Sequence, residues 1–413
     1  MIALPLCLIL VQVWILRTSS SSQRVLKAVS ALGLFAAALA LSTTVALEAS
    51  FHWVRYQVLH TDPSLLEKPG RHLMVGFRDL TEVRELIRLR AVGGIFLSSG
   101  NVRNKSIAEV RQIIQSFQNQ RQQQGLPPLW IATDQEGGGV SRLSPPLTHL
   151  PGLSEIVQRY SDLGQREQAV REFARTQGRE LANVGVNINF APVVDLNYKL
   201  INPNDWYTRI FERAISDDPA VVAQVAAWYC SELEKAGVRC TLKHFPGLGR
   251  AFEDTHLRDA SLTASMAELG DTDWVPFRAL MRDSRVFTML GHVRLTALDK
   301  ERPVSMSPAV IAGLLRRDWK YDGVLITDNF SMAAVYRSSE GMSNGSIQAL
   351  NAGVDLILIS WDTDQYYPVM YSLLKADRQG RLDREALKRS DQRLEMAKLP
   401  APDLNSSSFQ EKR

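Results

Sequence analysis

The sequence predicts an α/β protein, a (β/α)8 barrel of the TIM type, forming a single domain behind an N-terminal membrane segment. Three observations lead there. After residue 50, eight short apolar runs alternate with helix-length amphipathic stretches, the rhythm of parallel strands joined by crossover helices. Polar, chemistry-bearing residues gather at the C-terminal ends of those runs, while their starts are mostly Gly, Val and Leu; a barrel places its chemistry at that end, so the asymmetry points to an enzyme. The competing open, doubly wound sheet needs a Gly-rich nucleotide turn after its first strand, and "GFRDLTE" (76–82) is not one.

The elements follow in chain order. Residues 1–50 form a hydrophobic anchor or signal region, 60–400 the barrel domain, and 401–413 a polar tail expected to fray. "IALPLCLILVQVWIL" (2–16) and "AVSALGLFAAALALSTTVAL" (28–47) are uncharged, and Arg17, Arg24 and Lys27 lie between them. The second run is long enough to cross a bilayer as a helix. The positive-inside rule keeps the basic linker cytoplasmic and sends the rest of the chain to the far side. A cleaved signal peptide starting at "RVLK" exports the domain equally. A buried core helix and a lipobox at Cys7 fit less well, since uncharged 20-residue runs are rare in soluble domains and no basic residue precedes Cys7.

Strands are expected at 72–77, 93–98, 129–134, 186–192, 238–245, 286–292, 323–328 and 355–360. Between them, "SIAEVRQIIQSFQNQRQQQ" and "DPAVVAQVAAWYCSELEKAG" carry apolar residues at helical spacing. The latter opens on Asp218–Pro219 and stops at Gly237, a start and stop pair for a helix.

Composition narrows the function classes. Of 413 residues, 45% are hydrophobic, so the chain can bury a large core, and a net charge of +4 with mixed signs carries no nucleic-acid signature. Cys7, Cys230 and Cys240 make no disulfide framework, and without CxxC or histidine spacing Cys230 and Cys240 read as plain buried thiols. Metal binding is not expected either, since no HExxH-type spacing occurs among His244, Asp254, His256 and His292.

Three motifs carry chemistry. In "LITDNFSM", Asp328 ends a buried strand, the place of a nucleophile, base, metal ligand or helix N-cap. In "TDQEGGGVSRL", Asp134 ends a strand, Gly137–Gly139 let backbone approach a ligand, and Arg142 can clamp it. In "KHFPGLGRAFEDTH" (243–256), a strand ends at Lys243–His244 and empties into a loop carrying Glu253, Asp254 and His256. A carboxylate beside an imidazole selects its tautomer and supports its charged form, so Asp254 and His256 can move a proton; a surface ion pair is the alternative.

Together with "NFAPVVDLN", "GH" after the sixth strand, "SMSP" and "YDGVLITDNFSM", these motifs occur in the order seen in family 3 glycoside hydrolases. Over residues 70–395 the chain most resembles the bacterial single-domain β-N-acetylglucosaminidases of peptidoglycan turnover. The resemblance implies a (β/α)8 barrel, Asp328 as nucleophile, and His256 supported by Asp254 as acid/base in a mobile loop. It implies Asp134, Arg142, Arg213, Lys243 and His244 as sugar-binding residues, with no cofactor or metal. Glu253 becomes a bystander or reserve acid. The expected substrate is a small GlcNAc-containing carbohydrate, the partner a membrane rather than nucleic acid, and the state a monomer. Two positions depart from the family: Leu248, where a His is usual, and Gly139, where an Arg is usual. Both are expected to alter substrate preference or loop mobility rather than chemistry. The competing readings are a family 3 β-glycosidase of other sugar specificity and a membrane-tethered, catalytically weak sugar-binding protein.

Overall fold

The structure, a computed structural model, describes residues 24–360 and 362–398. The first apolar run, Cys7 and the polar tail therefore lie outside the described residues. The chain divides into two units, one ending at Thr61 and one beginning at Asp62. The first holds helix α1, Arg24–Leu59. An 18-residue stretch of its segment Ala31–Leu59 has a mean hydropathy of 1.7, and the helix is long and apolar enough to cross a membrane.

The second unit is a closed, all-parallel barrel of eight strands: β1 Leu73–Val75, β2 Gly94–Leu97, β3 Trp130–Thr133, β4 Ile188–Asn189, β5 Arg239–Phe245, β6 Phe287–Leu290, β7 Leu325–Asn329 and β8 Leu356–Ile359. Each strand pairs with its sequence neighbours, and β8 closes on β1. Every expected strand lies where its apolar run placed it. The crossovers are α2 Leu80–Arg88, α3 Ile107–Gln123, α4 Leu163–Val184, α5 Pro219–Lys235, α6 Trp274–Leu280, a π-helical turn Ala309–Asp318, and α7 Gly341–Ala352; α8 Tyr366–Arg378 and α9 Arg384–Met396 follow β8. Local signals set their ends. Ser106 and Glu109 form a capping box on α3. The Asp218 carboxylate accepts from the N–H groups of Ala220 and Val221 at the start of α5.

Alternate residues along the strands fill the barrel. Met74, Phe96, Trp130, Ala132, Ile188, Phe190, Phe287, Met289, Ile326, Leu356 and Leu358 form one buried cluster, joined by Leu394 and Ala397 from the end of the domain. The period of two does more than build this core. Two residues beyond Ala132 it delivers Asp134 to the barrel mouth, and along β5 it runs from Arg239, whose Nε donates to the Ala397 carbonyl, through Thr241 to Lys243.

Two strands break register at the mouth. On β5, Leu242 and Phe245 face Thr288 and Leu290, so three steps oppose two. On β7, Ile326 and Asn329 face Leu356 and Leu358 with the same excess. Such bulges bend a strand and re-aim its side chains, and they collect beside active sites. The residues inside them are Lys243–His244 and Thr327–Asp328.

One sequence expectation is corrected. Cys230 and Cys240 are joined by a disulfide with Cα atoms 5.3 Å apart. No spacing motif announces it. The pair forms because the turn at Gly237 folds β5 back against α5, setting two buried positions ten residues apart side by side.

Candidate active site

The C-terminal rim of the barrel carries three linked groups of side chains. The first is a buried ion cluster. Lys243, 2% exposed, donates from Nζ to Asp134 Oδ1 at 2.7 Å and lies 2.6 Å from Glu136 Oε1. Arg213, at the end of a short helix Ile210–Arg213, holds Glu136 through Nε at 3.0 Å and Nη2 at 2.7 Å, a bidentate fork. Its Nη1 donates to the Thr208 carbonyl. Burial opposes the Glu136 charge, but the adjacent Arg213 and Lys243 cations outweigh it and bring its pKa down to about 2. Glu136 is the residue the sequence reading passed over, although it stands in the quoted "TDQEGGG". It rides on a small hairpin, Gln135–Gly137 with Val140–Ser141, pinned by Asn189 and by the Gln135 side chain.

The second group fixes the end of β5. The Asp195 carboxylate takes three donors: the His244 N–H at 3.0 Å, the Leu248 N–H at 2.6 Å and His244 Nδ1 at 2.7 Å. With Nδ1 so engaged, His244 turns its Nε2 edge to other partners. Leu248 is buried, with its side chain against Gly291 after β6. In this chain the position is thus apolar packing rather than a polar contact. Gly139 lies on the exposed hairpin tip with open space around it, so the missing arginine leaves no hole.

The third group is the dyad. His256 Nδ1 lies 2.8 Å from Asp254 Oδ1, which also receives the His256 N–H at 2.9 Å and Thr208 Oγ1 at 2.7 Å; Oδ2 receives the Tyr207 N–H at 3.1 Å. Burial raises the cost of the Asp254 charge, yet the bonds from His256 and Thr208 prevail and hold its carboxyl well below the usual range. The loop carrying the dyad is docked against the loop after β7: the His256 and Thr255 carbonyls accept from the N–H groups of Ala333 and Ala334. The His256 imidazole is near enough for its charge to act on Asp328. Asp328 pays a desolvation penalty, but the nearby His244, His292 and His256 rings and the Asn329 N–H, donating at 2.7 Å, bring its pKa below the ordinary value. His292 is buried between Ser305 Oγ and the Asn329 carbonyl; burial lowers its pKa against the pull of Asp328.

Seven of the eight site residues named from sequence therefore meet in this rim. Arg142 is exposed on the hairpin, and among the described residues no side-chain hydrogen bond or ion pair ties it to the network; only its backbone N–H reaches the Asp134 carbonyl. No three His, Cys, Asp or Glu side chains group to hold a metal among the described residues.

A closed parallel barrel with a shielded carboxylate and an Asp–His pair on its C-terminal rim defines a barrel hydrolase in class. The pattern described as the glycosyl hydrolase family 3 N-terminal domain matches residues 64–397, and the chain belongs to that family. It is 33% identical over 350 residues to beta-hexosaminidase LpqI of Mycobacterium tuberculosis, covering 82% of this chain and 85% of that one. It is 31% identical to beta-hexosaminidase A of Pseudoalteromonas piscicida, covering 79% of this chain and 56% of that one. Among solved structures it is similar to the family 3 β-N-acetylglucosaminidase of Paenibacillus sp. (TM-score 0.73, 33% identity, 80% of this chain and 61% of that one) and to M. tuberculosis LpqI (TM-score 0.71, 32% identity, 82% and 94%).

Proposed function

We propose that this chain is a retaining exo-β-N-acetylglucosaminidase that works by double displacement. The observation that carries the reading is the Asp254–His256 dyad, bonded at 2.8 Å on a loop docked against Ala333 and Ala334, just after Asp328 in the chain. Asp328, with its pKa below the ordinary carboxylate value, attacks as a carboxylate the anomeric carbon of a terminal β-linked GlcNAc. The bond to the leaving oxygen breaks as His256 gives that oxygen its proton. A covalent glycosyl-enzyme forms. His256 then takes a proton from water, which attacks the same carbon and frees Asp328 with net retention. Retaining enzymes commonly use a second carboxyl group for the proton work; here the imidazole does it, and Asp254 holds Nδ1 so that Nε2 faces the reaction. Lys243 spends two of its three donors on Asp134 and Glu136 and has one left for a sugar hydroxyl. Asp134 and His244 flank it, and Arg213 acts mainly by fixing Glu136.

The family assignment and the hexosaminidases at 31–33% identity support the activity. The wider reading covers place and substrate. Residues 60–400 form the catalytic domain behind an N-terminal membrane anchor, exported to the outer side, where peptidoglycan fragments are the substrate. The apolar helix α1 supports the anchor. The Cys230–Cys240 disulfide supports export, because such bonds persist in oxidising compartments.

The test uses the full chain in mild detergent with a chromogenic β-GlcNAc glycoside. Wild type releases the aglycone, and proton NMR shows the β-anomer of GlcNAc first. Asp328→Ala abolishes turnover. Release of the α-anomer first, or full activity in His256→Ala, refutes the mechanism.

A further inference from the structure

The bonds that hold the dyad divide into two kinds. His256 meets the Asp254 carboxylate through its N–H and Nδ1. Both groups ride on the same loop, two residues on, so these bonds travel with it. The loop after β4 supplies bonds of the other kind, which tie the carboxylate to a different part of the barrel. Thr208 Oγ1 donates to Oδ1 at 2.7 Å and the Tyr207 N–H to Oδ2 at 3.1 Å. Thr208 Oγ1 also lies 3.2 Å from His256 Nδ1. Thr208 is only 8% exposed, so its hydroxyl is shielded from water.

The other side of Thr208 is fixed as well. Its carbonyl accepts from Arg213 Nη1 at 2.8 Å, and the Nε and Nη2 of the same arginine hold Glu136. Glu136 in turn meets Lys243 at 2.6 Å. A series of bonds therefore runs from Lys243, Glu136 and Arg213 through Thr208 to Asp254 and His256. Between Thr208 and the helix of Arg213 stands Arg209, at φ 43° and ψ 44°. This is left-handed backbone, which residues other than glycine rarely adopt. Such an outlier persists where its surroundings over-determine it, and outliers collect at functional sites.

We infer that Thr208 is a positioning residue for the proton donor, joining the ion cluster around Lys243 to the dyad that moves the proton. This rests on the glycosidase activity proposed above. Thr208 acts through its neighbours rather than on the reacting atoms. Its hydroxyl fixes where the Asp254 carboxylate stands, and through it where His256 Nε2 points. A proton donor must lie within hydrogen-bond reach of the oxygen that leaves, and a small misplacement lowers the rate. The cost of losing the hydroxyl therefore falls on substrates that need a proton to depart. Substrates that leave without one are spared.

The experiment compares two substrates of the full chain in detergent. N,N′-diacetylchitobiose loses its second sugar only with a proton; β-N-acetylglucosaminyl fluoride needs none. Thr208→Val keeps the shape and removes the hydroxyl. It is expected to lower kcat/KM for the disaccharide about tenfold, the worth of one hydrogen bond to a charged group, while the fluoride stays within about twofold. Thr208→Ser restores most of the loss, because the hydroxyl returns. In an Asp254→Asn background, Thr208→Val is expected to cost less than about twofold, since the carboxylate it acts through is gone. Equal losses on both substrates mean a structural role and overturn the assignment, as does no loss on the disaccharide. A loss of about tenfold that persists beside Asp254→Asn shows that Thr208 does not work through the dyad, and overturns it too. Wild type that cleaves neither substrate refutes the activity itself, and this role with it.

Discussion

Glu136→Gln tests the ion cluster that organises the rim. The change keeps the shape and one acceptor oxygen but removes the charge shared by Lys243 and Arg213. The magnitude follows from the structure. Against the cost of burial, the two cations take the Glu136 pKa from 4.5 to about 2, which at 1.36 kcal/mol per unit corresponds to about 3 kcal/mol. Breaking a buried ion pair by neutralising one partner independently costs about 3–5 kcal/mol; the retained acceptor favours the lower end. At about 2.1 cal/mol/K of unfolding entropy per residue, a domain spanning residues 64–397 would lose about 4 °C in Tm. The assay is thermal unfolding of the full chain in detergent at pH 7 and again in acid. The sign is set by linkage: a carboxylate with a lowered folded pKa stabilises above its unfolded value near 4.5, and the contribution is lost as pH falls toward about 2. The gap between wild type and variant should therefore be full at pH 7 and close in acid. A variant within 1 °C of wild type at pH 7, on the order of a quarter of the expected shift, refutes the reasoning. So does a gap that persists unchanged in acid.

Three further predictions concern the loop after β5. Asp254→Asn should lower kcat about 10²–10⁴-fold on a disaccharide, since His256 loses its carboxylate partner; hydrolysis of the glycosyl fluoride should fall far less, and equal losses would deny His256 the role of acid. Arg250 bonds Asp273 at 2.7 Å, pairs with Glu268 and lies 4.3 Å above the Tyr198 ring. It is read as a positioning residue, so Arg250→Ala should cut kcat about tenfold with little change in KM, with partial rescue by Arg250→Lys; a pure KM effect would contradict it. Leu248→His places an imidazole in an apolar seat, 3% exposed in the native chain, and should cost about 1–3 kcal/mol in unfolding; a rise in Tm would reveal a polar partner there.

Much of the site could be read from residue order. Asp134, Lys243, His244 and Asp328 end apolar strand runs, and a barrel puts strand ends on one rim, so placing the strands placed these groups together. Asp254 and His256 lie two apart, close enough for local sequence to join them. Glu136 escaped because its meaning lies in partners 77 and 107 positions away, Arg213 and Lys243. Arg142 was included by motif, yet its side chain points to water, because hairpin geometry rather than spacing decides where it goes. The disulfide escaped for a similar reason: no motif relates Cys230 to Cys240, and only the packing of α5 on β5 brings them within bonding distance.

The division has a physical cause. Hydrophobic period, helix caps and strand-end polarity are local, and each is set by neighbours within a few residues of the chain. They determine by themselves the eight strands, the apolar N-terminal run and the candidate acid, base and nucleophile. What the tertiary structure decided depends on contacts between distant segments. The closure of β8 on β1 fixes which loops share the rim. The bulges at Lys243–His244 and Thr327–Asp328 exist only as a mismatch between paired strands. The docking of the dyad loop on Ala333 and Ala334, and the bond it receives from Thr208, arise where separately encoded loops meet.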